Sequence, residues 1–154
     1  MNYWLFKTEP DAFSIDDLKN APEQTEHWDG IRNYQARNFL RDTVNVGDLV
    51  FIYHSSCKQV GIVGLAEAVK AGYVDHTQFN PESNYYDPKS TIEKPRWYMV
   101  DIQFKQKFSQ ILPLKTIKAM DDIKEIGLVK KGHRLSIMPV QKNEFESLLT
   151  ACEA

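Results

Sequence analysis

"VGDLVFIYHSSCKQVGIVGLAEAVKAGY" occupies Val46–Tyr73. Val46–Ser55 reads as a Gly-Asp turn followed by a strand whose apolar run is too continuous for a half-exposed element. A short polar loop holding Cys57 leads to a second apolar segment from Gly61 to Tyr73. Two such runs joined so closely predict a β-hairpin. Gly61 and Gly64 inside the second run predict a bulge or a close backbone approach.

Outward from the hairpin, Asn2–Lys7 is aromatic, partly alternating, and reads as a first strand. Arg96–Phe108 alternates well and Arg134–Val140 reads as a last strand. Ser14 with Asp17 three residues on resembles a capping box and starts a short helix. Asn33 caps a helix to about Asp42, with Ala36, Phe39 and Leu40 inward and Arg37 and Arg41 on the other side. Leu114–Met120 and Lys142–Ala151 complete the helices. Ala21–Asp29 reads as a polar loop, and Phe79–Ser90, aromatic and Pro-containing, as an ordered one. Few long helices separate the strands, which disfavours a doubly wound parallel sheet. The expectation is α+β: a small, strongly curved barrel flanked by short helices, its closure removing exposed edges.

The chain has 154 residues, 42% hydrophobic and 26% charged, which suits one folded domain, 1–154. No apolar run approaches the ~20 residues of a membrane span. Lys7 and Glu9 interrupt the N-terminus too early for a secretory signal, so a cytoplasmic protein is expected. Two distant cysteines, Cys57 and Cys152, predict free thiols. Net charge is −2, but Glu9–Asp29 sums to −6 and Lys89–Arg134 to +6. That division is either ordinary solvated surface or a modest basic face for phosphates. It does not suit extended, nonspecific coating of a nucleic acid.

Catalytic signatures are weak. His54 and Cys57 are three apart beside Ser55 and Ser56, and a thiolate–imidazole pair would need them within hydrogen-bond reach. Asp16–Asp17 and Asp121–Asp122 are sequence neighbours whose side chains diverge on a helix. The four histidines, at 27, 54, 76 and 133, lack metal-ligand spacing, and no Gly-Lys-Ser follows Gly61 and Gly64. No catalytic residue, metal or cofactor is expected.

"HWDGIRNYQARNFL" (His27–Leu40) is different. It crowds planar and hydrogen-bonding side chains into a stretch where a core needs few. Stacking on an aromatic side chain contributes ~1–3 kcal/mol per base. Asn, Gln and backbone amides read base edges, and Arg pairs with phosphate. The same residues also read as Trp28 and Tyr34 anchoring a core while Arg32 and Arg37 form ion pairs. Trp97 has the same two readings.

Seven blocks in order, "YWLFKTEPDAFS", "WDGIRNYQARNFLR", "GDLVFIYHSS", "GIVGLAEAV", "TQFNPESNYYDPKS", "PRWYMVDIQF" and "KKGHRLSIMPV", resemble the EVE domain family from Tyr3 to Val140. The resemblance implies a PUA-like pseudobarrel, related to YTH and ASCH domains, with a solvent-open pocket for a modified nucleobase in DNA or RNA. Animal members are associated with modified cytosine in DNA, and YTH relatives hold N6-methyladenine of RNA in an aromatic cage. By block, Trp28 would be the stacking wall and Asp29–Gly30 the edge beside it. Lys7, Thr8 and Glu9 would line the floor or mouth. Arg32, Asn33, Tyr34 and Arg37 would supply edge or phosphate contacts. Ser55 would face the base, and Trp97, Arg134 and Ser136 would close the rim. A methyl group adds only about 0.8 kcal/mol of apolar burial, so selectivity would need polar groups that reject the wrong base edge. The expected partner is nucleic acid carrying a modified base, with no membrane and no obligate protein partner. A free nucleoside or nucleotide, or hydrolysis through Cys57 and His54, are the alternatives.

Overall fold

The chain runs β1 (Tyr3–Thr8), α1 (Ile15–Asn20), β2 (Thr25–Trp28), α2 (Tyr34–Asn38), β3 (Leu49–His54), β4 (Gly61–Val74), β5 (Tyr98–Pro113), α3 (Leu114–Ala119), β6 (Ile137–Val140) and α4 (Lys142–Glu153). These elements are those of a computed structural model that describes residues 1–154. The strands form one mixed sheet in the order β2-β5-β4-β3-β1-β6, with β1 and β3 parallel and the other neighbours antiparallel.

Both faces of the central strands are buried, which explains their unbroken apolar runs. Trp4, Phe6, Val50 and Ile52 enter an inner core with Ile15, Leu18, Ala36 and Leu40 of the α1 and α2 region. The alternate positions Leu5, Phe51 and Tyr53 enter an outer core with Ile117 of α3 and Phe145 and Leu148 of α4. The sheet wraps tightly round the inner core. Strands β2 and β1 are four places apart in the order, which spans about 19 Å in a flat sheet. Yet the ring centroids of Trp28 on β2 and Phe6 on β1 are only 5.7 Å apart.

The expected hairpin is β3–β4, and its bulge lies where Ile52 pairs with Gly64 but Tyr53 with Ile62, leaving Val63 extra. The capping box also forms: Ser14 Oγ accepts from the Asp17 amide at 3.1 Å, and Asp17 Oδ2 accepts from the Ser14 amide at 2.8 Å. The expected closure does not occur. No ladder joins β2 to β6, so the sheet is a curled, open pseudobarrel with two edges. Residues 21–29 are not all loop. Thr25–Trp28 adds β2, a short polar edge strand identifiable only through its pairing with β5. The helix from Asn33 ends at Asn38 and continues as a π-helical turn, Phe39–Thr43. Strand β6 begins at Ile137 rather than Arg134, and β5 extends to Pro113.

Gly61 pairs with Pro113, and a Cβ at Gly61 would collide with the Leu112 carbonyl oxygen. Gly61→Ala is therefore expected to destabilise the fold by about 1–3 kcal/mol, measured as a lower urea midpoint at unchanged m.

Candidate functional site

The end of β1 and the loop after β2 flank an open cavity of about 380 Å³, within the ~300–1,000 Å³ range of small-ligand pockets. Lys7, Thr8 and Glu9 border it on one side and Glu26–Ile31 on the other, with Ala12, Phe13 and Tyr85 completing the wall. The β1 side is held on both flanks, because Ser55 N donates to the Thr8 carbonyl at 2.9 Å and Lys7 N to the Ser136 carbonyl at 2.8 Å. Thr8 Oγ1 donates to the Phe13 carbonyl at 2.7 Å, and the amides of Ala12 and Phe13 donate to the Glu9 carbonyl. That closed turn brings Phe13 edge-on to Trp28, at 6.0 Å between centroids. Trp28, 8% exposed, is thus both a member of the inner core and a wall of the cavity.

Asp75 positions the opposite wall. Its fully buried carboxylate accepts from Gly30 N at 2.9 Å, Arg32 Nη1 at 3.1 Å, Thr77 N at 2.8 Å and Thr77 Oγ1 at 2.5 Å. Burial pushes its pKa up, but the hydrogen bonds from Thr77, Gly30 and Arg32 outweigh that and hold it below the usual carboxylate range. Arg32 also donates from Nε and Nη2 to the Tyr85 carbonyl, at 3.0 and 2.7 Å. Tyr85 is thereby laid against Gly30, whose φ of +76° suits glycine and whose missing side chain leaves room for the phenol ring. Gln78, fully buried, donates to the Asp75 and Trp97 carbonyls and accepts from the Arg96 and Trp97 amides. The long loop to β5 is ordered by these bonds.

The lining is acidic: Glu9, Glu26 and Asp29 against Lys7 alone among strong charges. Burial, then the nearby Asp75 charge, raises the Asp29 pKa, while burial lowers that of Lys7, whose ammonium sits 5.8 Å from the Tyr53 ring centroid. His27 lies between two acids, 3.2 Å from Glu26 and 3.6 Å from Asp29.

Of the fourteen candidate residues, Lys7, Thr8, Glu9, Trp28, Asp29 and Gly30 line this cavity; the other eight do not. Arg32 is committed to Asp75 and Tyr85 rather than facing outward. Asn33 Oδ1 caps α2 through the Ala36 amide. Tyr34 stacks on Trp97 at 4.8 Å, Arg37 lies over Tyr34 and donates to the Arg96 carbonyl, and Trp97 Nε1 donates to Asp87. This is an aromatic cluster outside the cavity, joined to it through Arg32 and Tyr85. Ser55 and Ser136 support β1 through backbone atoms, and Arg134 is exposed. Ala12, Phe13, Glu26, His27, Ile31 and Tyr85 join the wall unforeseen; the aromatic content of Phe79–Ser90 was the one signal for Tyr85.

His54 and Cys57 share a separate groove, but no hydrogen bond joins them. His54 Nε2 accepts from the Ile15 amide at 3.1 Å, and Cys57 Sγ is directed to the Gln59 carbonyl at 3.4 Å. Burial lowers the His54 pKa, which suits that acceptor role.

The folded Asp75 carboxyl holds its proton less tightly than the unfolded chain does, so the unfolded state binds more protons in acid. Its stabilisation is present above the unfolded pKa and lost as pH falls through the lower folded value. Asp75→Asn is expected to cost about 2 kcal/mol at neutral pH and to flatten the stability loss as pH falls below about 4, followed by circular dichroism.

The EVE domain family model matches residues 2–151. Thymocyte nuclear protein 1 of Mus musculus is 44% identical over 166 residues, covering 97% of this chain and 73% of its own. A Pseudomonas syringae crystal structure superposes with a TM-score of 0.93 at 46% identity, covering 97% of this chain and 99% of its own. The human THYN1 protein, solved in complex with 5-methylcytosine-containing DNA, gives a TM-score of 0.94 at 42% identity, covering 100% of this chain and 99% of its own. With the curled sheet and its aromatic-walled cavity, these matches make the chain a member of the EVE domain family.

Proposed function

We propose that the chain, as one domain over 1–154, is a noncatalytic reader of a modified base in DNA, of the 5-methylcytosine type, held in the cavity beside Trp28. The observation that carries this is the cavity itself, open to solvent and walled by Trp28, Phe13 and Tyr85, in a relative of the human protein solved with such DNA. A flipped base loses its stacking neighbours at a cost of a few kcal/mol, and aromatic walls offset that loss. His54 and Cys57, each engaged with a backbone group rather than with the other, give no support to a hydrolase. The free thiols of Cys57 and Cys152 fit a reducing compartment, cytosolic or nuclear. No helix is long and apolar enough to cross a membrane.

Thymine sharpens the chemistry required. It carries the same 5-methyl group as 5-methylcytosine and stacks comparably, yet is abundant in all DNA. Only the 4-amino and N3 edge tells the two apart, so a pocket reading methyl and ring alone would fill with thymine. The acidic lining supplies acceptors for an amino group and repels a phosphate from entering. Asp29, desolvated at the cavity wall, is our candidate for the edge-reading acceptor.

Fluorescence anisotropy with otherwise identical duplexes carrying 5-methylcytosine, cytosine or thymine at one position tests this, with methylated RNA and free nucleosides as further arms. Preference for the 5-methylcytosine duplex is expected; equal binding of all three duplexes would refute the reading. Tyr85→Ala should weaken binding by about 5–100-fold. Trp28→Ala is a poorer probe, because truncating a core Trp costs about 3–5 kcal/mol of stability. Asp29→Asn should narrow the preference over thymine, from at least about tenfold to near unity, since an amide presents a donor as readily as an acceptor. Because burial raises the Asp29 pKa, its carboxylate binds a proton more readily in the folded than in the unfolded chain, and its ionisation opposes folding as pH rises. The same substitution should therefore leave thermal stability at neutral pH unchanged or slightly higher.

A further inference from the structure

The cavity is acidic, yet the chain has a surface whose only charged lining residues are lysines. The β3–β4 loop and α3 enclose a hollow of about 590 Å³ lined by Lys58, Lys115 and Lys118. An adjoining hollow of about 480 Å³ is lined by Lys118, Lys124, Lys130 and Lys131. Lys118 belongs to both, and no carboxylate lines either. For a chain of net charge −2, this is a marked segregation.

The fold holds the strip in place. Lys115 and Lys118 are three apart on α3 and so share one face, while Ile117 anchors the helix in the outer core. Leu114 N donates to the Val60 carbonyl at 3.1 Å and ties the Lys58 loop to the start of α3. The buried Glu144 accepts at Oε2 from the amides of Lys124 and Glu125, at 2.8 and 2.9 Å. Nearby acids are partly engaged: Asp122 accepts from Ser147 Oγ, and Glu125 lies 3.7 Å from Lys130. Asp121 stands exposed beside the strip. Beyond Lys131 the chain leads through His133 and Arg134 to Ser136, whose carbonyl accepts from Lys7 N at the cavity edge. The last lysine of the strip thus stands five residues before Ser136, which flanks the β1 side of the pocket.

We propose that the strip from Lys58 through Lys118 to Lys131 is a second nucleic-acid contact, which holds phosphates of the duplex flanking the flipped base. Flexible lysines in open hollows suit a sequence-independent phosphate backbone, and a cavity lined by acids needs cations elsewhere to keep a polyanion bound. The identity of the polyanion rests on the reading of the cavity given above; the charge segregation does not.

The test is the salt dependence of duplex binding by the wild type and a Lys58→Gln/Lys115→Gln/Lys118→Gln variant, whose three sites are exposed. Each lost phosphate contact lowers the slope of log K against log salt by ~0.9, so a reduction of about 2–3 is expected. At about 50 mM salt the variant should bind methylated and unmethylated duplexes about 10–100-fold more weakly, with their ratio unchanged. An unchanged slope would overturn the proposal while a methylation preference stood. A reduced slope in a protein with no methylation preference would uphold the strip and remove the base-reading assignment. Absence of duplex binding even at low salt would overturn both. Poly-glutamate competing as well as duplex DNA of equal charge would reassign the strip to an acidic protein partner.

Discussion

A single buried carboxylate, that of Asp75, organises one whole wall of the pocket. An isolated ionised acid in a dry interior costs several kcal/mol, and only a full set of donors makes it tolerable. Those donors come from two separated segments: Gly30 and Arg32 after β2, and Thr77 at the start of the loop to β5. Satisfying Asp75 therefore fixes one segment against the other. Gln78 and the Trp97–Asp87 bond extend the arrangement, so a loop of more than twenty residues holds one shape without strands of its own. The cavity is in this sense a by-product of electrostatic necessity, preformed rather than assembled around a ligand.

This also explains which parts of the site were legible in the sequence. Lys7–Thr8–Glu9 and Trp28–Asp29–Gly30 each lie at the C-terminal end of a strand, and the curl of the sheet brings the two ends together at the cavity. Phe13 reaches the wall through a short turn closed by Thr8 on the Phe13 carbonyl, and Tyr85 through a non-local bond from Arg32 to its carbonyl, which no local pattern encodes. Arg32 misled for the same reason. A guanidinium has one chemistry for phosphate and for a buried carboxylate, and Asp75, 43 positions away, claimed it.

The fold shows a similar division. The run from Leu49 to His54 was readable because burial on both faces removes alternation. Strand β2 was not, because Thr25–Trp28 buries only Trp28 and looks like loop until β5 supplies its partner. The distribution of acids and bases along the chain was visible as a local excess, but its consequence was not. The acids gather at a cavity and the lysines at a surface through tertiary placement.

The open sheet leaves two rims that a second polypeptide could extend, and each is blunted. Strand β6 is four residues long and presents Pro139, which has no amide hydrogen to offer an incoming backbone. Strand β2 is equally short and carries Glu26 and His27, partly solvated, along its margin. A curled sheet that gaps on one side thus avoids zipping rim to rim with its own copies, and the gap can remain without inviting fibrous stacking.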